Sequence, residues 1–155
     1  MRGLRGILKW IALALAALLV AIQLIPFGRD HANPAGGRQI AWDSPRTQRL
    51  MAGACMDCHS NQTEWPWYSN VAPVSWLVQN DVDEGRRDLN LSTGEAELEE
   101  MIETIESGSM PPWQYKPAHP GAWLSDREKR DLIRGLEATF SGGGGGGGSG
   151  EDEGG

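Results

Sequence analysis

Sixteen consecutive residues, Trp10 to Ile25, carry no charge and a single polar side chain, Gln23. In lipid, such a run satisfies its own backbone N–H and C=O groups only as a helix. With Leu4–Lys9 added, the helix reaches about 22 residues, close to the ~20 that span hydrocarbon. Arg5 and Lys9 are placed to snorkel toward headgroups, and Trp10 suits the interface. Arg2, Arg5 and Lys9 all precede the run, which sets the N-terminus inside and the remaining chain outside. Residues 1–25 are therefore predicted to be an uncleaved transmembrane signal anchor. A cleaved signal peptide is the alternative, but the run exceeds the usual apolar length and Ile25-Pro26-Phe27-Gly28-Arg29 is a poor cleavage site.

The remaining chain has room for one modest domain, expected over residues 42–140. Residues 26–41 lack apolar periodicity and read as a linker that lifts the domain off the membrane. Residues 141–155 include seven consecutive glycines and an acidic end, and are predicted to be a disordered tail. Within the domain, Ser44-Pro45 is the N-cap and first residue of a helix that leads into Cys55. A second helix is expected from Pro73 to Glu84, with Val74, Leu77, Val78 and Val82 on its apolar face. A third opens with the capping box Ser92-Thr93-Gly94-Glu95, buries Leu98, Met101, Ile102 and Ile105, and ends at Gly108. A fourth opens with Ser125-Asp126-Arg127-Glu128 and buries Leu132, Ile133, Leu136 and Phe140. No strand pattern competes, so the fold class is all-α: one N-terminal transmembrane helix, then a small helical domain.

Beyond the anchor's basic residues, the chain carries 11 basic and 21 acidic side chains. Nucleic acid is not an expected partner, because phosphate contacts need clustered Lys and Arg. Ten of the carboxylates lie between Asp81 and Glu106, against only Arg86 and Arg87. They read as a solvated helical face or as a docking surface for a basic redox partner. Six of the seven tryptophans lie beyond the membrane run and are expected mostly in the core.

Both cysteines belong to Cys55-Met56-Asp57-Cys58-His59, the spacing of a c-type haem attachment site. On one helical turn the two thiols share a face and reach the vinyl groups of one haem edge. His59 then offers an imidazole nitrogen to the iron. A disulfide here would close a tiny loop for little entropic benefit. A thioredoxin-like pair needs a βαβ context, and zinc needs four donors. Between Gly108 and Leu124 lie seventeen residues with four prolines, long enough to imply a functional loop. It presents Met110, in Ser109-Met110-Pro111-Pro112, as a soft sulfur donor for the sixth position. His119 is the competing sixth ligand. His31 lies in the linker with no role assigned. Met51, Met56 and Met101 are attributed to packing or exposure.

Beyond Cys55–Asn61, the strings Trp65-Pro66-Trp67-Tyr68-Ser69-Asn70, Ala72–Trp76, Asp81–Arg86, Leu89–Ser92, Met110-Pro111-Pro112 and Tyr115–Pro120 resemble the bacterial haem-binding domain family of small membrane-anchored monohaem proteins. The resemblance covers about residues 42–138. It implies one haem c attached covalently at Cys55 and Cys58, with His59 as proximal ligand; the family loop also presents a histidine like His119. It further implies a bacterial inner membrane, with the haem domain on the periplasmic side. The expected role is one-electron transfer between membrane oxidoreductases and extracytoplasmic acceptors. A peroxidase-like enzyme or a gas or redox sensor, with an open or displaceable sixth site, is the alternative.

Overall fold

The computed structural model describes residues 2–94 and 97–141, and every regular element among them is helical. The all-α expectation holds. Helix α1 (Arg2–Ile22) is long and apolar enough to cross a membrane, and its apolar side chains are exposed all round. It stops three residues short of the predicted end.

Helix α2 (Pro45–Ala54) begins as expected, with the Ser44 hydroxyl accepting from Thr47 N at 3.2 Å and proline in the first turn. A single turn, α3 (Met56–His59), comes immediately after. Helix α4 (Val74–Asp88) runs one turn longer than predicted. Helix α5 (Leu98–Ser107) ends on Gly108, whose φ of 75° is the left-handed cap that glycine adopts without strain. Helix α6 (Asp126–Ser141) opens with the predicted reciprocal box: Ser125 N donates to Glu128 Oε2 at 2.9 Å and Glu128 N to Ser125 Oγ at 3.3 Å.

Helices α2, α5 and α6 enclose the core of Met51, Leu91, Met101, Ile105, Leu132 and Leu136. Full burial of one such side chain contributes roughly 1.5–3 kcal/mol. Met51 and Met101 are thus packing residues. Helix α4 lies outside this core, against α3.

Four expectations change. None of the tryptophans is core: Trp67, Trp113 and Trp123 are exposed and Trp42, Trp65 and Trp76 are half-buried. Aliphatic and sulfur side chains fill the space between α2, α5 and α6, and Trp42 only packs against its edge. Ser92 caps no helix; it is buried with its hydroxyl accepting from Asn61 N, and α5 starts six residues later. The other end of that box, Glu95, lies outside the described residues. The buried face of α4 runs through Ser75, Val82 and Gly85, while Val74 and Leu77 are exposed. Residues 26–41 have no regular structure, yet they are fastened along the domain rather than spacing it away. Asn33 Nδ2 donates to Thr63 O at 2.9 Å and Arg38 N to Ser92 O at 2.8 Å. The expected disorder of 142–155 also concerns residues outside those described.

Gly135 sets the α2–α6 distance. A β-carbon there would overlap the buried Thr47 hydroxyl. Overpacking costs about 1–3 kcal/mol, against about 1 kcal/mol gained in helix propensity. Gly135→Ala should therefore lower the thermal midpoint, read by circular dichroism.

Candidate functional site

Cys55 separates α2 from α3, and its carbonyl accepts from Cys58 N at 3.2 Å and His59 N at 3.0 Å. That turn brings Cys55, Cys58 and His59 to one cavity of about 300 Å³, within the range of small-ligand sites. Met51 and Ala54 form its floor from α2. Asp81, Glu84, Gly85 and Asp88 of α4 with Leu89 just beyond it, Met101, Thr104 and Ile105 of α5, and the loop residues Met110, Pro112, Gln114 and Tyr115 form its walls.

His59 is held by α4. Its Nδ1 lies 2.9 Å from Gly85 O and 3.1 Å from Leu89 O. Carbonyls only accept, so Nδ1 is a donor, and the nitrogen that carries the lone pair in the neutral imidazole is Nε2. This is the arrangement by which a backbone carbonyl orients a metal-binding histidine. The approach depends on Gly85, where a β-carbon would stand 2.6 Å from Cys58 O and 2.9 Å from Cys58 Cβ.

The chain beyond His59 is equally fixed. Leu91 N donates to His59 O at 2.9 Å, Asn61 N to Ser92 Oγ at 3.0 Å, and Asn90 Nδ2 to Asn61 Oδ1 at 2.8 Å. Arg86 donates to Ser60 O, Thr63 Oγ1, Ala32 O and Asn33 Oδ1, all within 2.9 Å. One guanidinium thus joins the loop after His59 to the segment beyond α1.

The two thiols are free. Burial pushes both up to about 12, with Cys58 adding at Cys55, and Asp81 and Asp57 adding at Cys58. They stay protonated at neutral pH, the reverse of the thiolate a thioredoxin-like pair needs. Among the described residues, no three His, Cys, Asp or Glu side chains form a metal-holding group, so the zinc reading finds no donor set there.

Five carboxylates, Asp81, Glu84, Asp88, Glu97 and Glu100, line the cavity together with no Lys or Arg. Burial raises the Asp81 pKa, with Glu84 adding. Met110 lines the cavity too, its N–H donating to Thr104 O at 3.2 Å. His119 does not. It stacks on Tyr115 at 3.6 Å, with Nδ1 2.9 Å from Tyr115 O and Nε2 3.4 Å from the Tyr68 hydroxyl. It faces a separate, more polar cavity of about 570 Å³ whose walls include neither cysteine nor His59. Tyr115 touches both cavities and donates to Asp57 Oδ2 at 2.7 Å. Burial, then this bond, pushes its pKa up and keeps the phenol a neutral donor. His31 also has a place: it stacks on Trp65 at 4.7 Å and its Nε2 lies 2.9 Å from Ser69 Oγ.

Sequence reasoning singled out His59 without its supports. Gly85 entered only within a string of family resemblance, and Arg86, Ser92, Asp57 and Tyr115 were named without the contacts they make here. A glycine inside a helix costs about 1 kcal/mol relative to alanine, and that cost was the available signal of a close approach.

A model of the haem-binding domain family matches residues 17–138, and the chain belongs to that family. It is a haem-binding protein. The match begins inside α1 and takes in residues 26–41, in keeping with their attachment to the domain. No curated protein and no solved structure matches the chain.

Gly85→Ala should force α4 away from the Cys58 backbone and draw the carbonyls off His59. Haem per protein, measured as the pyridine haemochrome, should fall severalfold, whereas Gly135→Ala, remote from the cavity, should lose stability but keep its haem content.

Proposed function

We propose that one haem c is attached through thioethers at Cys55 and Cys58, with His59 Nε2 on one side of the iron and Met110 sulfur on the other. The protein would then serve as a one-electron carrier tethered by α1 to the bacterial inner membrane, its haem domain on the periplasmic side. The observation that carries the reading is the cavity itself: both thiols, an imidazole with Nδ1 already occupied, and a thioether line one space of about 300 Å³.

The residues present fit the group. The α3 turn presents two thiols and the imidazole together, and Gly85 leaves the room a β-carbon would take. Bound there, the haem would supply a one-electron iron couple. Thioether ligation raises the potential of such a couple, while the five lining carboxylates favour the more positive, oxidised state. Those same carboxylates suit a basic redox partner at the cavity mouth. His119 fits the sixth position less well, since both its nitrogens have partners away from the cavity.

Protein made with a working haem-maturation system should stain for haem after denaturing electrophoresis. The Cys55→Ser/Cys58→Ser double variant should not stain, and full staining of that variant would refute covalent attachment.

Met110→Ala should abolish the weak sulfur-to-iron charge-transfer band, lower the reduction potential and let carbon monoxide bind ferrous haem quickly. His119→Ala should leave the band intact. Reversed phenotypes would mean bis-histidine ligation; no effect from either change would favour the enzyme or sensor with an open sixth site.

A further inference from the structure

We propose that the haem domain rests on the lipid surface through the uncharged segment Trp65–Asn80, with Trp67, Val71, Val74 and Leu77 seated in the headgroup–acyl boundary. The inference depends on reading α1 as a membrane span, and it adds a second membrane contact that an anchor alone does not require.

In a chain of net charge -7, Trp65–Asn80 is sixteen residues with no charged side chain. Its large apolar groups are not packed away: Trp67 is 79% exposed, Val71 44%, Val74 41% and Leu77 48%. Val74 and Leu77 lie one turn apart on α4, so they share a face. Aliphatic side chains on a common helix face and an exposed tryptophan are what an interfacial surface presents to lipid.

The position of this patch singles out its occupant. Gln23, the first residue after α1, holds Ala72 by both backbone groups: its Nε2 donates to Ala72 O at 2.8 Å and its Oε1 accepts from Ala72 N at 3.0 Å. Ala72 is buried and lies between Val71 and Val74. Gly28, at a φ of 77°, packs so closely on Ser75 that a β-carbon would overlap the Ser75 carbonyl. Phe27, Ile25 and Leu24 continue the exposed apolar surface from the helix end. The patch is thereby held at the level where α1 leaves the hydrocarbon, and the surface it continues is one that lipid already covers.

Charge agrees with this placement. The first carboxylate of α4 is Asp81, seven positions beyond Val74 and about 10 Å further along the helix axis. The acidic half of α4 therefore begins where the haem cavity begins.

The test uses the full chain in bilayers of phosphatidylcholine, with a nitroxide attached to cysteine introduced at one position per variant: Ile11, Val74, Leu77 or Glu99. Cys55 and Cys58 are half-buried, and the unsubstituted chain gives the labelling background. Collision rates with oxygen, which enriches in lipid, and with a water-soluble nickel chelate are read by electron paramagnetic resonance. Oxygen should dominate at Ile11, Val74 and Leu77, and the chelate at Glu99. Labels at Val74 and Leu77 that behave like Glu99 while Ile11 remains in lipid would overturn the second contact and leave the anchor intact. A water-exposed Ile11 would overturn the anchor, and the second contact with it. Dipolar broadening at Leu77 that vanishes on dilution with unlabelled chain would assign the patch to a second copy of the protein, which also overturns the proposal.

Discussion

His59 reaches the carbonyls of Gly85 and Leu89 because Gly85 brings no β-carbon against Cys58. This one crossing, a single helical turn lying on the waist of α4, determines most of the site. It assigns the proton of the imidazole to Nδ1, leaves Nε2 for a metal, and aligns the two thiols with the same cavity. Arg86 and the Leu89–Ser92 segment then lock the chain beyond His59, so the turn is supported on both sides by α4 and its C-terminal extension.

The loop between α5 and α6 serves two cavities with residues nine positions apart. Met110 lines the cavity of the cysteines, whereas His119 lies on the other side of Tyr115 and stacks against it. Tyr115 is the partition. Its hydroxyl is anchored to Asp57, one of the two residues between the cysteines, so the loop is tied directly to the Cys55–His59 string. The aromatic groups here serve as walls and props, consistent with a hydrophobic core made of aliphatic and sulfur side chains.

Helix α4 is polarised along its length. Its first turns are uncharged and adjoin the end of α1 through Gln23 and Gly28, while its later turns carry the carboxylates of the cavity wall. The segment after α1, pinned by Asn33 and Arg86, keeps these two ends in fixed relation to α1. A flexible spacer would have allowed the domain any orientation; these hydrogen bonds select one.

The apolar periods of α5 and α6, the N-caps of α2 and α6, the glycine that ends α5, and the apolar length of α1 were legible in the chain because they depend on residues within one or two turns of each other. The string Cys55–His59 was legible for the same reason, since its chemistry is local. Tertiary structure decided the rest. It rotated the buried face of α4 away from Val74 and Leu77, turned the hydroxyl of Ser92 from a helix cap into a partner for Asn61, and separated Met110 from His119 on a shared loop. Each of these depends on a neighbour far along the chain, and no local pattern of propensity or spacing encodes which partner a side chain will meet.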